Sequence, residues 1–238
     1  GKEVMAKAAK HLTPVTLELG GKSPCVVDRT AKLELAAKRI AFGKLLNCGQ
    51  TCVAPDYILV ERSVKDEFLV YLKKWIVRMY GADATENDAY VKMINQKHFD
   101  RVTGLIDPEK VVFGGGWNER TMQIQPTILD DVTAEDAVMQ EEIFGPIFPI
   151  LSVDSMAEAE EFICKREKPL ALYLFTQNKA LAERFLRYVP FGGGCINDTI
   201  IHLATSRMGF GGVGGSGMGS YHGKKSFETF SHEKSIVN

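Results

Sequence analysis

A regular alternation of helix-like and strand-like segments late in the chain is the feature that most constrains its fold. The four segments are, in order, Met156–Lys165, Leu170–Phe175, Lys179–Tyr188 and Gly194–Asn197. Two of them carry apolar residues at helical spacing, and the other two are short runs typical of buried strands. Strands that alternate with helices pair in parallel through right-handed crossovers. We therefore predict an α/β fold with a mostly parallel, twisted sheet flanked by helices.

The rest of the chain is expected to supply further elements of the same kind. Helices are predicted at Glu3–Leu12, Leu33–Leu46, Val64–Met79 and Tyr90–Ile106, and strands at Val15–Leu19, Pro24–Val27, Tyr57–Val60, Val111–Phe113, Gln123–Leu129 and Ile147–Val153. In the helix that begins at Val64, four apolar residues at helical spacing are expected to face the core, namely Phe68, Leu69, Leu72 and Ile76.

Composition excludes several classes of function. The 238 residues are 45% hydrophobic and 25% charged, as in ordinary globular proteins. The 29 basic and 30 acidic residues leave a net charge of −1, so we expect no nucleic-acid partner. No apolar stretch approaches the length of a membrane span, although the sequence leaves open an anchor elsewhere in a longer parent protein.

The cysteines point to a reducing compartment and not to a metal site. There are five, at positions 25, 48, 52, 164 and 195, an odd number with irregular spacing. No second closely spaced pair or nearby histidine completes a zinc set around Cys48 and Cys52, so we assign no metal. Reduced thiols are typical of the cytoplasm, and we expect a cytoplasmic protein.

The segment Asn47–Cys52 is the strongest candidate for a catalytic element. It places Cys52 directly after Gly49-Gln50-Thr51, and glycine permits the backbone to approach a ligand closely. A thiolate at Cys52 could attack a carbonyl carbon while nearby backbone N–H groups stabilise the oxyanion. The alternative is an inert buried thiol, which is the usual state of a free cysteine.

Two other segments combine acidic residues with glycine. In Leu17–Lys22 a glutamate, Glu18, ends an apolar run and is followed by two glycines that break the strand. In Glu141–Pro146 an acidic pair precedes an aromatic residue and a Gly-Pro break. Cys52 lies 34 residues after Glu18 and 90 residues before Glu142, so any contact between these groups must be tertiary.

With these motifs the chain resembles the aldehyde dehydrogenase family over its whole length. The segments that carry the resemblance are Glu18-Leu19-Gly20-Gly21-Lys22, Gly49-Gln50-Thr51-Cys52, Glu142-Ile143-Phe144-Gly145-Pro146 and the glycine-rich run 210–217. Segments 10–15 and 219–227 are similar to the class 3 group. The resemblance implies the catalytic-domain fold of that family. Because family members are about twice as long, the chain looks like their C-terminal half.

The resemblance also implies a mechanism and a set of site residues. Cys52 would add to an aldehyde, its own backbone N–H would hold the oxyanion in part, and a thioester on Cys52 would be hydrolysed by water that Glu18 activates. The cofactor, NAD or NADP, would contact Glu142, Phe144, Leu19 and Gly20, and the aldehyde pocket would include Phe210 and Asn197. In class 3 relatives the division of labour between Glu18 and Glu142 is open.

The same resemblance divides the chain and implies its partners. Residues 1–20 would end a nucleotide-binding domain, residues 21–218 would form the catalytic domain, and residues 219–238 would form an oligomerisation arm of a homodimer. The family's oxyanion asparagine and phosphate-contacting glycine turn would lie before Gly1, in an N-terminal half that this chain lacks. We therefore expect the isolated chain to oxidise aldehydes poorly, because cofactor contacts position the reaction.

Two alternatives from other classes stay open. The first is a cysteine hydrolase that uses Cys52 without a cofactor on esters or thioesters, which would need a histidine partner. All five histidines are interpreted as structural or surface residues, and Lys22 as architectural. The second is a non-catalytic folding or assembly module. The seven glycines in Gly209–Gly219 are interpreted as a rigid turn that lines the aldehyde pocket, with Phe210 as its apolar wall.

Overall fold

The chain forms seven α-helices and eleven β-strands, and the computed structural model describes all residues from 1 to 238. The helices are α1 (Lys2–Ala9), α2 (Leu33–Leu45), α3 (Lys65–Tyr80), α4 (Gln96–Thr103), α5 (Met156–Cys164), α6 (Lys179–Tyr188) and α7 (Gly223–Thr229). The strands are β1 (Leu17–Glu18), β2 (Pro24–Val27), β3 (Tyr57–Glu61), β4 (Val111–Phe113), β5 (Trp117–Asn118), β6 (Gln123–Ile124), β7 (Thr127–Leu129), β8 (Ile147–Val153), β9 (Ala171–Phe175), β10 (Gly193–Ile196) and β11 (Gly217–Met218).

A seven-stranded sheet, in the order β10-β9-β2-β3-β8-β7-β4, forms the centre of the fold. All neighbours pair in parallel except β4, which is antiparallel to β7 at one edge. Every residue of β2, β3 and β9 is buried, as expected for inner strands covered on both faces. The predicted α/β fold with a mostly parallel sheet is confirmed.

Helix α3 packs mainly on α2 and shows how an apolar face joins a helix to the core. Its four buried residues are Phe68, Leu69, Leu72 and Ile76, which confirms the predicted inward face. Removing one such side chain from water contributes about 1.5–3 kcal/mol, so this face is enough to hold the helix in place. Gly81 follows the last turn with φ of 91°, a conformation that favours glycine and ends the helix.

The predicted helix at Tyr90–Ile106 is wrong in its first third. Only Gln96–Thr103 is helical, and Asn95 begins it by accepting a hydrogen bond from the N–H of His98 at 3.0 Å. The preceding residues are held in place by non-helical bonds, since the N–H of Met93 donates to the carbonyl of Met122 at 2.9 Å. Tertiary hydrogen bonds therefore override the local helical pattern here.

The predicted strand Gln123–Leu129 is also wrong as one unit. It is divided into β6 and β7, and only β7 joins the central sheet, while β6 pairs with β5. Pro126 lies at the division and has no N–H to donate to a ladder.

The start of the chain differs from expectation. The first helix stops at Ala9 and buries no residue, and Leu12 adopts a left-handed φ of 52°. The predicted strand Val15–Leu19 contracts to β1, which pairs antiparallel with β11 inside the glycine-rich run. No helix of the structure has the length and apolar character that crossing a bilayer requires.

Candidate active site

A left-handed turn after α2 brings the Cys52 loop against the Glu142–Pro146 segment. Asn47, Cys48 and Gly49 have φ angles of 52°, 57° and 74°. A Cβ atom at Gly49 would collide with the carbonyl oxygen of Gly145, so glycine is required there. Two of the three segments identified in the sequence are therefore in direct backbone contact.

Cys48 anchors this turn and leaves Cys52 as the accessible thiol. The Cys48 thiol is fully buried and donates to the hydroxyl of Tyr90 at 3.3 Å, which in turn donates to the carbonyl of Ile124 at 2.8 Å. Cys52 is only half-buried. Gln50 also fastens the turn, because its side chain bonds the backbone at positions 92 and 94.

The residue after Cys52 is held by the central sheet. The hydroxyl of Tyr173, a fully buried residue of β9, donates to the carbonyl of Val53 at 2.6 Å. A phenol buried without a partner would be costly, so this bond fixes both groups. Sequence reasoning missed Tyr173, whose only signal was a polar aromatic residue within an apolar strand.

Glu18 lies against Cys52 and completes the pair predicted from the sequence. Pairing of Glu18 with Gly217, together with a bond from the N–H of Leu19 to the carbonyl of Ser216 at 3.1 Å, fixes its backbone. Burial raises the pKa of the Glu18 carboxyl, against the lowering effects of a hydrogen bond with Cys52 and of the charge of His222. Its Oε1 atom is buried without a hydrogen-bond partner, which leaves an acceptor available for water or substrate.

The same contact controls the ionisation of Cys52. Burial, followed by the charge of Glu18 and the hydrogen bond to it, raises the pKa of the Cys52 thiol to about 11. The backbone N–H of Cys52 points at its own sulfur and acts in the opposite direction. Cys52 is therefore a thiol at neutral pH, with a carboxylate placed to receive its proton.

An aromatic cluster forms one wall of this site. Phe210 is buried, and its ring stacks on His222 with centroids 5.1 Å apart and meets Tyr221 edge-on at 6.0 Å. Backbone bonds between Phe210 and Tyr221 hold the two sides of the glycine-rich turn together. Burial, then the charges of Glu18 and Cys52, raises the pKa of Tyr221, which places its hydroxyl near both groups.

His222 corrects the interpretation of all histidines as structural or surface residues. Its charge lowers the pKa of Glu18, and its ring packs on Phe210, so it belongs to the site. Sequence reasoning missed it because a histidine after a glycine-rich run carries no motif of its own. Its position beside Tyr221 in the aromatic stretch after Gly219 was the available signal.

Glu142 lies beside the Gly20-Gly21 turn, and Glu142 and Gly20 were both predicted to contact a cofactor. Its carboxylate accepts a hydrogen bond from the N–H of Gly21, and a Cβ atom at Gly20 would collide with the carboxylate. Burial, then the charge of Asp56, raises the pKa of Glu142 to about 7. A cleft of about 720 Å³ opens here, lined by Gly20, Gly21 and Glu142 among others.

Phe144 is held in a strained conformation close to this carboxylate. Its φ is 50°, which is rare for a non-glycine residue, and its side chain is 37% exposed. Backbone strain of this kind is common at ligand-binding sites. A carboxylate, a glycine cradle and an exposed ring fit the ribose and nicotinamide end of a dinucleotide.

Lys22 and Asp56 connect all three segments of the site. The Lys22 ammonium forms an ion pair with the buried Asp56 and donates to the carbonyls of Val138 at 2.8 Å and Glu141 at 2.9 Å. The other oxygen of Asp56 accepts the N–H of Ile143 at 2.9 Å. Lys22 is therefore architectural, and Asp56 is a residue that sequence reasoning missed.

Asn197 is oriented by the end of a strand. Its amide oxygen accepts the N–H of Thr176 at 2.9 Å, and its amide nitrogen donates to the carbonyl of Thr176 at 2.8 Å. These bonds fix the amide on Thr176, just after β9, and not on Cys52, so its place in the aldehyde pocket stays a prediction.

Comparison with known proteins assigns the family. The family model described as "Aldehyde dehydrogenase family" matches residues 1–236. The chain belongs to the aldehyde dehydrogenase family.

Relatives about half identical to the chain come from animals and bacteria. It is 55% identical over 237 residues to "Aldehyde dehydrogenase, dimeric NADP-preferring" of Rattus norvegicus, and 52% identical over 239 residues to "4,4'-diaponeurosporen-aldehyde dehydrogenase" of Staphylococcus aureus (strain NCTC 8325 / PS 47). Each match covers 100% of this chain and 52% of the relative. The chain thus spans about half the length of these curated relatives.

Solved structures agree with this assignment. The "Substrate bound state of Staphylococcus Aureus AldH" superposes with a TM-score of 0.97 at 52% identity, over 98% of this chain and 52% of that one. The "Crystal structure of E. coli NADP dependent enzyme" superposes with a TM-score of 0.89 at 32% identity, over 97% of this chain and 49% of that one.

Proposed function

We propose that this chain is the catalytic part of an NAD(P)-dependent aldehyde dehydrogenase that oxidises aldehydes to carboxylic acids through a thioester on Cys52. The observation that carries the proposal is the contact between the Cys52 thiol and the Glu18 carboxylate, with the Cys52 N–H aimed at the sulfur. Nucleophile, proton acceptor and oxyanion donor are thus in one place.

The first step forms a bond between the Cys52 sulfur and the aldehyde carbon. The thiol proton passes to Glu18, with which it already shares a hydrogen bond. The aldehyde oxygen gains the negative charge and is stabilised by the backbone N–H of Cys52. Burial of the pair strengthens these interactions, because a low-dielectric site screens charge poorly.

The last step is hydrolysis of the acyl group on Cys52. Glu18 first releases to solvent the proton that it took from the thiol, and as a carboxylate it then removes a proton from a water molecule. The water oxygen bonds to the acyl carbon, the carbon–sulfur bond breaks, and the departing sulfur takes the proton from Glu18. The carboxylic acid leaves and the Cys52 thiol is restored. The raised pKa of Glu18 suits this role, because a general base works best when its pKa is close to the working pH.

Glu142, Gly20 and Phe144 would hold the nicotinamide and ribose end of NAD or NADP. Leu19, whose backbone is fixed by Ser216, would support the same turn. When bound, the cofactor would accept a hydride from the aldehyde carbon. Loss of this hydride raises that carbon to the oxidation level of an acid. The preference for NADP in a relative's name makes NADP the first cofactor to test.

The position of the chain within a longer enzyme is part of the proposal. Coverage of about half of each relative, and the motifs it carries, support a C-terminal catalytic half with residues 1–20 from the nucleotide-binding domain. Residues 219–238 would be the arm of a homodimer, since Phe227, Phe230 and Ile236 are 74–83% exposed there. A dimeric relative is consistent with this assignment. We propose a cytoplasmic location.

The experiment is a paired assay on one preparation. Calorimetric titration with NADP and NAD measures cofactor binding, and peptide mapping after reaction with p-nitrophenyl acetate locates the acyl group. We expect acylation at Cys52, lost in Cys52→Ala and kept in Cys48→Ala. Acylation that persists in Cys52→Ala would exclude Cys52 as the nucleophile. The hydrolase alternative would be favoured by two results together. Ester turnover would not depend on cofactor, and Glu142→Ala would leave cofactor binding unchanged.

A further inference from the structure

A second cysteine with a histidine partner lies outside the Cys52–Glu18 pair. The sulfur of Cys195, on β10, is 3.6 Å from Nδ1 of His202. Burial raises the pKa of the Cys195 thiol, and the backbone N–H of His202, which points at the sulfur, acts in the opposite direction. An imidazole and a backbone N–H group beside one partly exposed thiol favour its thiolate form, which is the reactive form of cysteine.

The pair lies on the same side of the sheet as the catalytic cysteine. Cys195 is paired in register with Tyr173 on β9, so the two side chains share one face of the sheet. From that face the hydroxyl of Tyr173 reaches Val53, next to Cys52. The ring of His202 packs against Tyr173 and against Phe210, with both centroid distances at 5.9 Å. Cys195 and His202 therefore border the pocket wall that Phe210 forms.

His202 is in the right state to accept a proton. Burial lowers its pKa, so the ring is neutral at physiological pH and has one acceptor nitrogen. Nε2 is buried without a partner, and Nδ1 faces the thiol. The Cβ that Gly193 lacks would lie 3.2 Å from the ring, so a glycine at this position leaves room for the imidazole.

We propose that Cys195 and His202 form a second reactive-thiol site, which takes α,β-unsaturated aldehydes by conjugate addition. His202 Nδ1 accepts the thiol proton, the sulfur bonds to the β-carbon, and the electrons of the carbon–carbon double bond move to the α-carbon. The proton then passes from His202 to the α-carbon. The product is a thioether that keeps its aldehyde group, and no oxidant or cofactor is consumed.

The choice of electrophile rests on the proposed function, since it assumes that aldehydes enter the pocket beside Phe210. A thiolate is a soft nucleophile and prefers the β-carbon of such compounds. The remaining thiols are poorer candidates. Cys25 and Cys48 are fully buried. Burial, then the charge of Glu160, raises the pKa of the exposed Cys164, and this thiol lacks the imidazole contact that Cys195 has.

The test compares Cys195 with Cys164 in the same chain. The protein is treated with 2-butenal, the adducts are fixed with borohydride, and peptide mapping measures the rate at each thiol. We expect addition to Cys195 to be roughly tenfold faster than to Cys164 although Cys164 is more exposed. Butanal, which lacks the double bond, should leave no thioether at either position. A rate at Cys195 equal to or below that at Cys164 overturns the proposal.

A matched variant separates the role of the histidine. His202→Gln should reduce addition at Cys195 to the rate at Cys164 and leave Cys164 unchanged, and an unaltered rate at Cys195 would also overturn the proposal. Circular dichroism shows whether this variant folds. If it does not fold, the ratio of the addition rates at Cys195 and Cys164 in the wild-type protein decides whether the proposal holds. Acylation of Cys52 by p-nitrophenyl acetate in Cys195→Ser reports on the main function separately, so either idea can fail without the other.

Discussion

The hydroxyl of Tyr173 donates a 2.6 Å hydrogen bond to the carbonyl of Val53, and both residues are buried. This bond ties the residue after Cys52 to the middle of the sheet. Tyr173→Phe should destabilise the fold by about 1–2 kcal/mol, because the carbonyl of Val53 would lose its partner. Urea denaturation measures the change, with Tyr188→Phe on the exposed end of α6 as the neutral control. Equal losses in the two variants would contradict the role of this bond.

A second prediction concerns the thiol of Cys52. The negative charge of Glu18 and the hydrogen bond to it help to raise the pKa of Cys52 to about 11. Glu18→Gln removes that charge, so the pKa should fall and alkylation by iodoacetamide at pH 8 should become faster. The pH dependence of alkylation, followed at the Cys52 peptide, checks this. Glu142→Gln should have a smaller effect in the same direction, because Glu142 is the weakest of the causes. An unchanged or slower reaction in Glu18→Gln would contradict the effect of this charge on the pKa of the Cys52 thiol.

Glu142 predicts a pH dependence of stability. Its pKa is raised from 4.5 to about 7 in the folded protein, so the folded state binds the proton more tightly than the unfolded chain. The stability that this proton contributes is present below pH 4.5 and is lost as the pH rises to 7. After allowance for partial solvent screening we expect a loss of roughly 1 kcal/mol. Denaturation at pH 5 and pH 8 measures the change in the free energy of unfolding between the two pH values. This change should be smaller in Glu142→Gln than in the wild type, and equal changes would contradict the prediction.

Lys22 should matter for stability more than other paired lysines. Lys22→Ala leaves the buried carboxylate of Asp56 without its partner, at a cost of about 3 kcal/mol. Lys74→Ala breaks an exposed pair with Glu34 and should cost less than about 1 kcal/mol. Both values come from urea denaturation at pH 7. Similar costs would mean that the Lys22 pair is not a structural link.

Elements that bury a continuous apolar surface could be predicted from the sequence. Strand β8 has the predicted bounds, because six of its seven residues are buried in one apolar run. Helix α6 also has the predicted bounds although it buries only Phe185, because the side chain of Asn178 caps its first turn. The segment before α4 could not be predicted, since Gln50 and Met122 hold it by bonds from distant parts of the chain. Local propensity does not contain such contacts.

The site shows the same division. Cys52, Glu18 and Glu142 were found because each lies in a short segment with glycine. Their contacts, and the residues that support them, depend on the tertiary structure. Asp56 carries no local signal, and the local signals of Tyr173 and His222 do not reveal their roles, because each acts through a partner far away in the sequence. The role of such a histidine or tyrosine can be recognised only in the folded structure, in which the glycine-rich turn lies against β1 and β9.

The most direct test of the account is the fate of an acyl group on Cys52. After reaction with p-nitrophenyl acetate, intact mass measured over time follows acetylation and its loss. If Glu18 activates the deacylating water, Glu18→Gln should accumulate the acetyl enzyme and release it ~100-fold more slowly than the wild type. Glu142→Gln should release it at the wild-type rate. Release from Glu18→Gln at the wild-type rate, or accumulation in Glu142→Gln instead, would contradict the assignment of Glu18 as the base.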